Sequence, residues 1–127
     1  RYPEARSLPG ILVFRWDAPL FFANATVFQN RVRDVLNETR PTPHHVVLEC
    51  AAITDIDITA AEMLSDVDRE LDARGVTLVF ADLRDRLQEL LAGYRVEARL
   101  DEKPFYRSVK EALEAITGEH LDDMGLG

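Results

Sequence analysis

A single cysteine, Cys50, occurs among the 127 residues. No disulfide can form within the chain, and a reducing compartment is the expected setting. Long apolar runs are absent too. None approaches the roughly 18 residues that a membrane-crossing helix requires, and the chain carries no secretory leader or lipidation pattern. Positive charge is scarce: 15 Lys and Arg stand against 23 Asp and Glu, for a formal net charge of -8 and a pI near 4.8. Such a surface repels phosphate backbones and anionic headgroups, which argues against nucleic acid or a bare membrane surface as partner. Histidine is limited to three residues. His44 and His45 are adjacent, so a strand would send them to opposite faces, and His120 lies far along the chain. No nucleophile–base pair, metal cluster, phosphate-cradling glycine loop or dinucleotide fingerprint is visible, and no catalysis is expected.

What is present is a chain with 46% hydrophobic and 30% charged residues, the balance of one ordinary globular domain. Its organising stretch is residues 46–64. Val46, Val47 and Leu48 read as a strand covered on both faces. From Ala60 the period changes, and Ala60, Met63, Leu64, Val67 and Leu71 fall at helical spacing. The acidic loop between them, Thr54-Asp55-Ile56-Asp57-Ile58, is thereby placed at the carboxyl end of a sheet, where α/β folds keep their sites. Thr59 with Glu62 has capping-box spacing.

Around this unit, residues 1–10 carry two prolines and a glycine and read as a linker. Ile11 to Trp16 is a strand, and Leu20 to Phe22 is expected to return beside it as a hairpin. Asn24 or Thr26 caps a helix with Val27, Phe28, Val32, Val35 and Leu36 inward, which Pro41 and Pro43 end. Gly75 closes the central helix, Val76 to Ala81 is a second buried strand, and Leu83, Leu87, Leu90, Leu91 and Tyr94 mark a third helix. Val96 to Leu100 reads as a short strand. Pro104 opens a last helix with Phe105, Val109, Ala112, Leu113 and Ile116 inward, and Gly118 stops it. Residues 119–127 are left as an acidic, disordered tail. The order β, β, α, β, α, β, α, short β, α predicts an α/β domain: one mixed sheet of four or five strands with about four helices packed on it.

The candidate chemistry sits in the loops. Asp55 and Asp57 could form a metal pair, but lack further ligands; loop solvation and bonds to helix amides are expected instead. Helix N-termini near Asn24 and Thr59 offer amides to a phosphate. Among Trp16, Phe21, Phe22 and Phe28, a turn this short cannot bury every ring, so an exposed remainder is expected to serve docking. Cys50 reads as a small buried hydrophobe.

Over residues 1–118 the order of elements and several motifs resemble the STAS domain, the module shared by sulphate transporters and anti-sigma-factor antagonists. Asp57-Ile58-Thr59-Ala60 is similar to that family's Asp-x-Ser/Thr-Gly/Ala signature. Tyr2-Pro3, Pro9-Gly10-Ile-Leu-Val-Phe-Arg15 and Asp17-Ala-Pro-Leu-Phe-Phe-Ala-Asn24 resemble the start of the cytoplasmic domain of SulP-type anion permeases. The absence of a leading Met fits an excerpt from such a longer protein, with residues 1–10 following the membrane domain. The resemblance implies a non-enzymatic regulatory or interaction domain on the cytoplasmic face of the cell membrane. Its implied partners are the membrane domain of the same transporter, a second copy in a homodimer, and GTP or ATP as a regulatory ligand at Asn24, Asp57 and Thr59. The alternative it implies is a free-standing partner-switching antagonist controlled by phosphorylation at Thr59. Ile58 and Ala60 depart from the Ser and Gly common in that branch, and Asp55, Asp57 and Glu62 would crowd a phosphate.

Overall fold

The computed structural model describes residues 3–98 and 100–123. Its elements are β1 (Ala5–Leu8), β2 (Ile11–Arg15), α1 (Ala25–Glu38), β3 (His45–Glu49), α2 (Ile58–Ala73), β4 (Thr77–Ala81) and α3 (Asp85–Tyr94). A short 3-10 turn (Leu100–Glu102), β5 (Phe105–Tyr106) and α4 (Val109–Asp123) complete the chain. One five-stranded sheet runs in the order β1-β2-β3-β4-β5, antiparallel between β1 and β2 and parallel elsewhere. This is the mixed sheet with four helices expected from the pattern.

Side chains alternate across the sheet and so divide the core. Leu12, Phe14, Val46, Leu48, Leu78 and Phe80 face the larger cluster, which α1, α2 and α3 close with Phe28, Leu64 and Leu87 among others. Val13, Val47, Val79 and Ala81 face the opposite way, against Ala112 and Ile116 of α4. Three helices therefore cover one face and α4 covers the other. The inward positions expected on α2 are all buried, from Ala60 to Leu71. On α1, Val27 is instead 55% exposed; the helix turns it past the edge of the stripe formed by Phe28, Val32, Val35 and Leu36.

The opening segment is not a free linker. Ala5–Leu8 pairs with β2 through a tight turn in which Gly10 adopts φ 77°, a left-handed conformation that costs glycine little. With β1 on one side and β3 on the other, β2 has no edge left for Leu20–Phe22. The expected hairpin is accordingly absent, and Leu20 makes only an isolated parallel bridge to Ile56. Val96–Leu100 does not form a strand either: Arg95 ends α3 at φ 53°, and Val96 and Leu100 drop into the core as anchors of a loop. The edge place goes to Phe105–Tyr106, which pairs with Phe80 and Ala81. Phe105 thus sits in a strand, not in the last helix, its ring 5.5 Å from that of Phe80. At the far end, Gly118 does not stop α4, which continues to Asp123 and takes in the start of the segment expected to be a tail. A glycine inside a helix costs only about 1 kcal/mol relative to alanine, too little to end a continuing amide ladder. Residues 124–127 lie outside the described residues.

Candidate functional site

At the carboxyl end of the parallel strands, the β2–α1 loop (16–24) and the β3–α2 loop (50–57) meet. Ile53 and Ile56 pin the second loop from below, both buried. Leu20, also buried, pins the first. Its backbone N–H donates to the Asp55 carbonyl at 2.9 Å, and its carbonyl accepts from the Asp57 N–H at 3.1 Å. The two loops therefore behave as a short two-stranded ribbon.

The Asp57 carboxylate completes the join. Oδ1 accepts from the Ala60 N–H at 2.8 Å, which makes Asp57 the N-cap of α2, while Oδ2 accepts from the Phe22 N–H at 2.8 Å. One side chain so satisfies amides from both loops, and its charge lies where the helix dipole favours it. This revises the capping box expected of Thr59 and Glu62. Thr59 is the second residue of α2, exposed to solvent, and its hydroxyl makes no hydrogen bond among the described residues. Asp55 is exposed and accepts from the Ile56 N–H at 3.0 Å. Asn24 does stand at the N-cap position of α1, yet its side chain turns back into its own loop. Its Oδ1 accepts from the Phe21 N–H at 3.0 Å, and its Nδ2 donates to the Pro19 carbonyl at 2.8 Å. The structure thus brings Asp57 onto the β2–α1 loop but leaves Asn24 and Thr59 without a shared partner.

Two residues of α3 brace the acidic loop from the side. Tyr94 donates its hydroxyl to the Ile56 carbonyl at 2.7 Å. Burial and then the neighbouring charges of Asp55 and Asp57 raise the phenol's pKa. Arg86 donates to the Thr54 carbonyl at 2.7 Å and lies 3.8 Å from Asp55 Oδ1. Sequence reasoning did not assign either residue to the loop. Tyr94 read only as the end of an apolar stripe, and nothing at helical spacing announces a contact 38 residues away.

Of the aromatic group, Trp16 and Phe28 stack edge to face at 5.1 Å and Phe28 is core. Phe21 and Phe22 turn outward, 40% and 71% exposed, their rings at a right angle 5.9 Å apart. Asp57, to which Phe22 is bonded, is followed by a third outward apolar residue, Ile58, 42% exposed. The joined loops consequently present an apolar rim around a polar clamp. Cys50, buried at the end of β3, donates its thiol to the Leu48 carbonyl at 3.4 Å. Among the described residues, no group of three or more His, Cys, Asp or Glu is placed to hold a metal, and no helix is long and apolar enough to cross a membrane.

The family model of the STAS domain matches residues 2–112. A probable sulfate transporter of Mycobacterium tuberculosis is 31% identical over 114 residues, covering 90% of this chain and 20% of that protein. The chain spans about a fifth of the length of such relatives. The STAS domain of a SulP transporter from Vibrio cholerae superposes with a TM-score of 0.69 at 22% identity, over 90% of this chain and 86% of that one. The murine Slc26a9 anion transporter in its inward-facing state superposes at 0.77 and 14% identity, over 89% of this chain and 18% of the transporter. In both, the likeness is one of fold. The chain belongs to the STAS domain family.

Proposed function

We propose that this domain is the cytoplasmic C-terminal regulatory and interaction part of a SulP-type sulfate or related anion transporter, and that it performs no catalysis itself. The relatives named as sulfate transporters support the setting. The observation that carries the role is the rim of Phe21, Phe22 and Ile58, large apolar side chains held outward by the Asp57 clamp. Apolar groups fixed in the open on a rigid loop pair suit a partner with its own apolar surface. The partner in this reading is the membrane domain of the same transporter, with a second copy of the domain as the competing occupant. Anion selection belongs to the membrane domain.

Replacing Phe22 by Glu in the full-length transporter tests this. Transport or membrane-domain cross-linking should fall several-fold, while the melting temperature of the domain stays unchanged because Phe22 supports little packing. Unaltered transport and cross-linking, with the domain folded, would refute the docking role. A shift only in the monomer–dimer equilibrium would give the rim to a second copy.

A second reading rests on Thr59. Thr59 is exposed on the first turn of α2 and its hydroxyl makes no hydrogen bond among the described residues, so a kinase could reach it. Phosphorylation there would set nearly two negative charges beside Asp55, Asp57 and Glu62 and strain the loop clamp by repulsion. Partner release on modification, as in partner switching, would follow. Mass spectrometry of the native protein showing Thr59 always unmodified removes this reading. GTP or ATP as a regulatory ligand near Asn24, Asp57 and Thr59 belongs to the same proposal, with calorimetric titration as its test. The Asp57 carboxylate already holds the Ala60 amide that a phosphate would need.

A further inference from the structure

Helices that follow neighbouring parallel strands open a crevice between them when they turn to opposite faces of the sheet. In this domain α1, α2 and α3 share one face, so the loops after β2 and β3 close against each other. The situation changes between β4 and β5. After β4 the chain turns into α3, whose Leu87 and Leu91 pack in the larger cluster; after β5 it turns into α4, whose Ala112 and Ile116 pack in the smaller one. The strand ends stay together, the Asp82 N–H donating to the Tyr106 carbonyl at 2.8 Å, while the chain above them parts. A cleft of about 210 Å³ lies there, with Asp82, Arg84, Asp85 and Gln88 on one wall and Tyr106 and Arg107 on the other.

The chemistry of the cleft is specific. Arg84 and Arg107 are exposed, stand on opposite walls, and make no ion pair or side-chain hydrogen bond among the described residues. By contrast, the Arg86 guanidinium is spent on Thr54 and Asp55. Two arginines without a side-chain partner on the lining of one cleft supply the fork geometry by which arginine holds phosphoryl, sulfuryl or carboxyl oxygens. Asp82 and Asp85 share the lining and their side chains are likewise unpaired. They balance the two arginines, which disfavours a bare inorganic anion and favours an oxyanion attached to a group that donates hydrogen bonds. The size is that of a small ligand or of one end of a larger one, below the range of most drug-sized pockets. Gln88 is held by its Nε2, which donates to the Leu83 carbonyl at 2.8 Å, so its Oε1 remains as an acceptor.

We propose that this switch-point crevice between β4 and β5 binds a small oxyanion-bearing ligand, with Arg84 and Arg107 on the oxyanion and Asp82 and Asp85 on its donor groups. The site is lined by residues other than those of the docking rim, and its existence does not rest on the transporter assignment. A nucleoside monophosphate and inorganic phosphate share the oxyanion and differ in the donors, so they serve as the two probes.

Backbone amide chemical shifts of the domain titrated separately with guanosine 5′-monophosphate and with sodium phosphate test the proposal. Perturbations centred on residues 82–88 and 105–108 are expected, with the nucleotide the tighter probe. Arg84→Gln and Arg107→Gln, singly, should each weaken binding about tenfold, since each removes a charge-assisted bond to the ligand. Both side chains are exposed, so unchanged spectra of the unliganded variants will show the fold intact. Equal affinity for the two probes would overturn the roles given to Asp82 and Asp85, leaving the arginine pair as the holder of a free anion. Perturbations centred on residues 20–24 and 57–60, binding indifferent to both arginines, or no response to either probe at millimolar concentration would overturn the proposal. None of these results bears on Phe22→Glu, so the two readings fail separately.

Discussion

The Asp57 carboxylate accepts a hydrogen bond from the Phe22 backbone N–H at 2.8 Å, across 35 residues of sequence. With its other oxygen on Ala60, it is, among the described residues, the single side chain tying the start of α2 to the approach to α1. The exposed rim is therefore positioned by one residue of the family signature.

Asp57→Ala should destabilise the domain by about 1–3 kcal/mol, the sum of a lost N-cap and a lost charge-assisted bond. Asp57→Asn keeps one oxygen but turns an amide NH2 toward one of the two donors, and is expected to fall between. Urea denaturation followed by circular dichroism will rank the three. If Asp57→Ala matches the parent within error, the clamp contributes nothing to the fold.

Leu20 is fully buried although it lies in a loop, and its backbone makes two of the ribbon's bonds. Leu20→Ala is expected to cost about 2–5 kcal/mol, as for a core leucine. Amide exchange should also speed up for Asp57 and Asn24 before the rest of the sheet. Thermal melting together with hydrogen exchange checks both parts.

Arg33 and Glu70 link α1 to α2 by hydrogen-bonded charges. The bond to Arg33 holds the Glu70 carboxyl below its ordinary value near 4.5. A depressed carboxyl stabilises the fold above its unfolded pKa, and the contribution disappears as pH falls through the folded one. Glu70→Gln should thus be less stable than the parent at pH 7 and equal to it at about pH 2. Both groups are more than one third exposed, so solvent screening keeps the difference under about 1 kcal/mol. Paired denaturation curves across pH measure it.

Burial pushes the Cys50 thiol well above its ordinary range. The thiolate is the reactive form, so the folded domain should react with a disulfide reagent such as DTNB orders of magnitude more slowly than the unfolded chain. Fast labelling under native conditions would show that the end of β3 opens readily.

The course of α2 was legible because its apolar period, its terminal glycine and the acidic loop before it agree with one another. Gly75 takes φ 75°, as a helix-terminating glycine should. Strands β2, β3 and β4 were legible as β-branched apolar runs buried on both faces. Edges carry weaker signals. Ala5–Leu8 is mostly exposed and lacks an apolar run because it lies at the edge of the sheet with only one side paired, and two prolines disguise it as linker. Phe105–Tyr106 has two residues, too few for any alternation to register. At the site, Asp57 was visible from its place before a helix, but its second bond to Phe22 depends on how two loops close in space. The cap passed to Asp57 over Thr59 because the helix begins two residues earlier, at Ile58 and not at Ala60.

The sheet order β1-β2-β3-β4-β5 has a kinetic corollary. Each strand pairs only with those next to it in sequence, so the sheet can grow at an open margin without waiting for a distant segment. During synthesis, the hairpin of β1 and β2 can receive β3, and then β4, as each emerges from the ribosome. By the time β5 and α4 follow, three helices can already cover one side, leaving the final helix to seal the other.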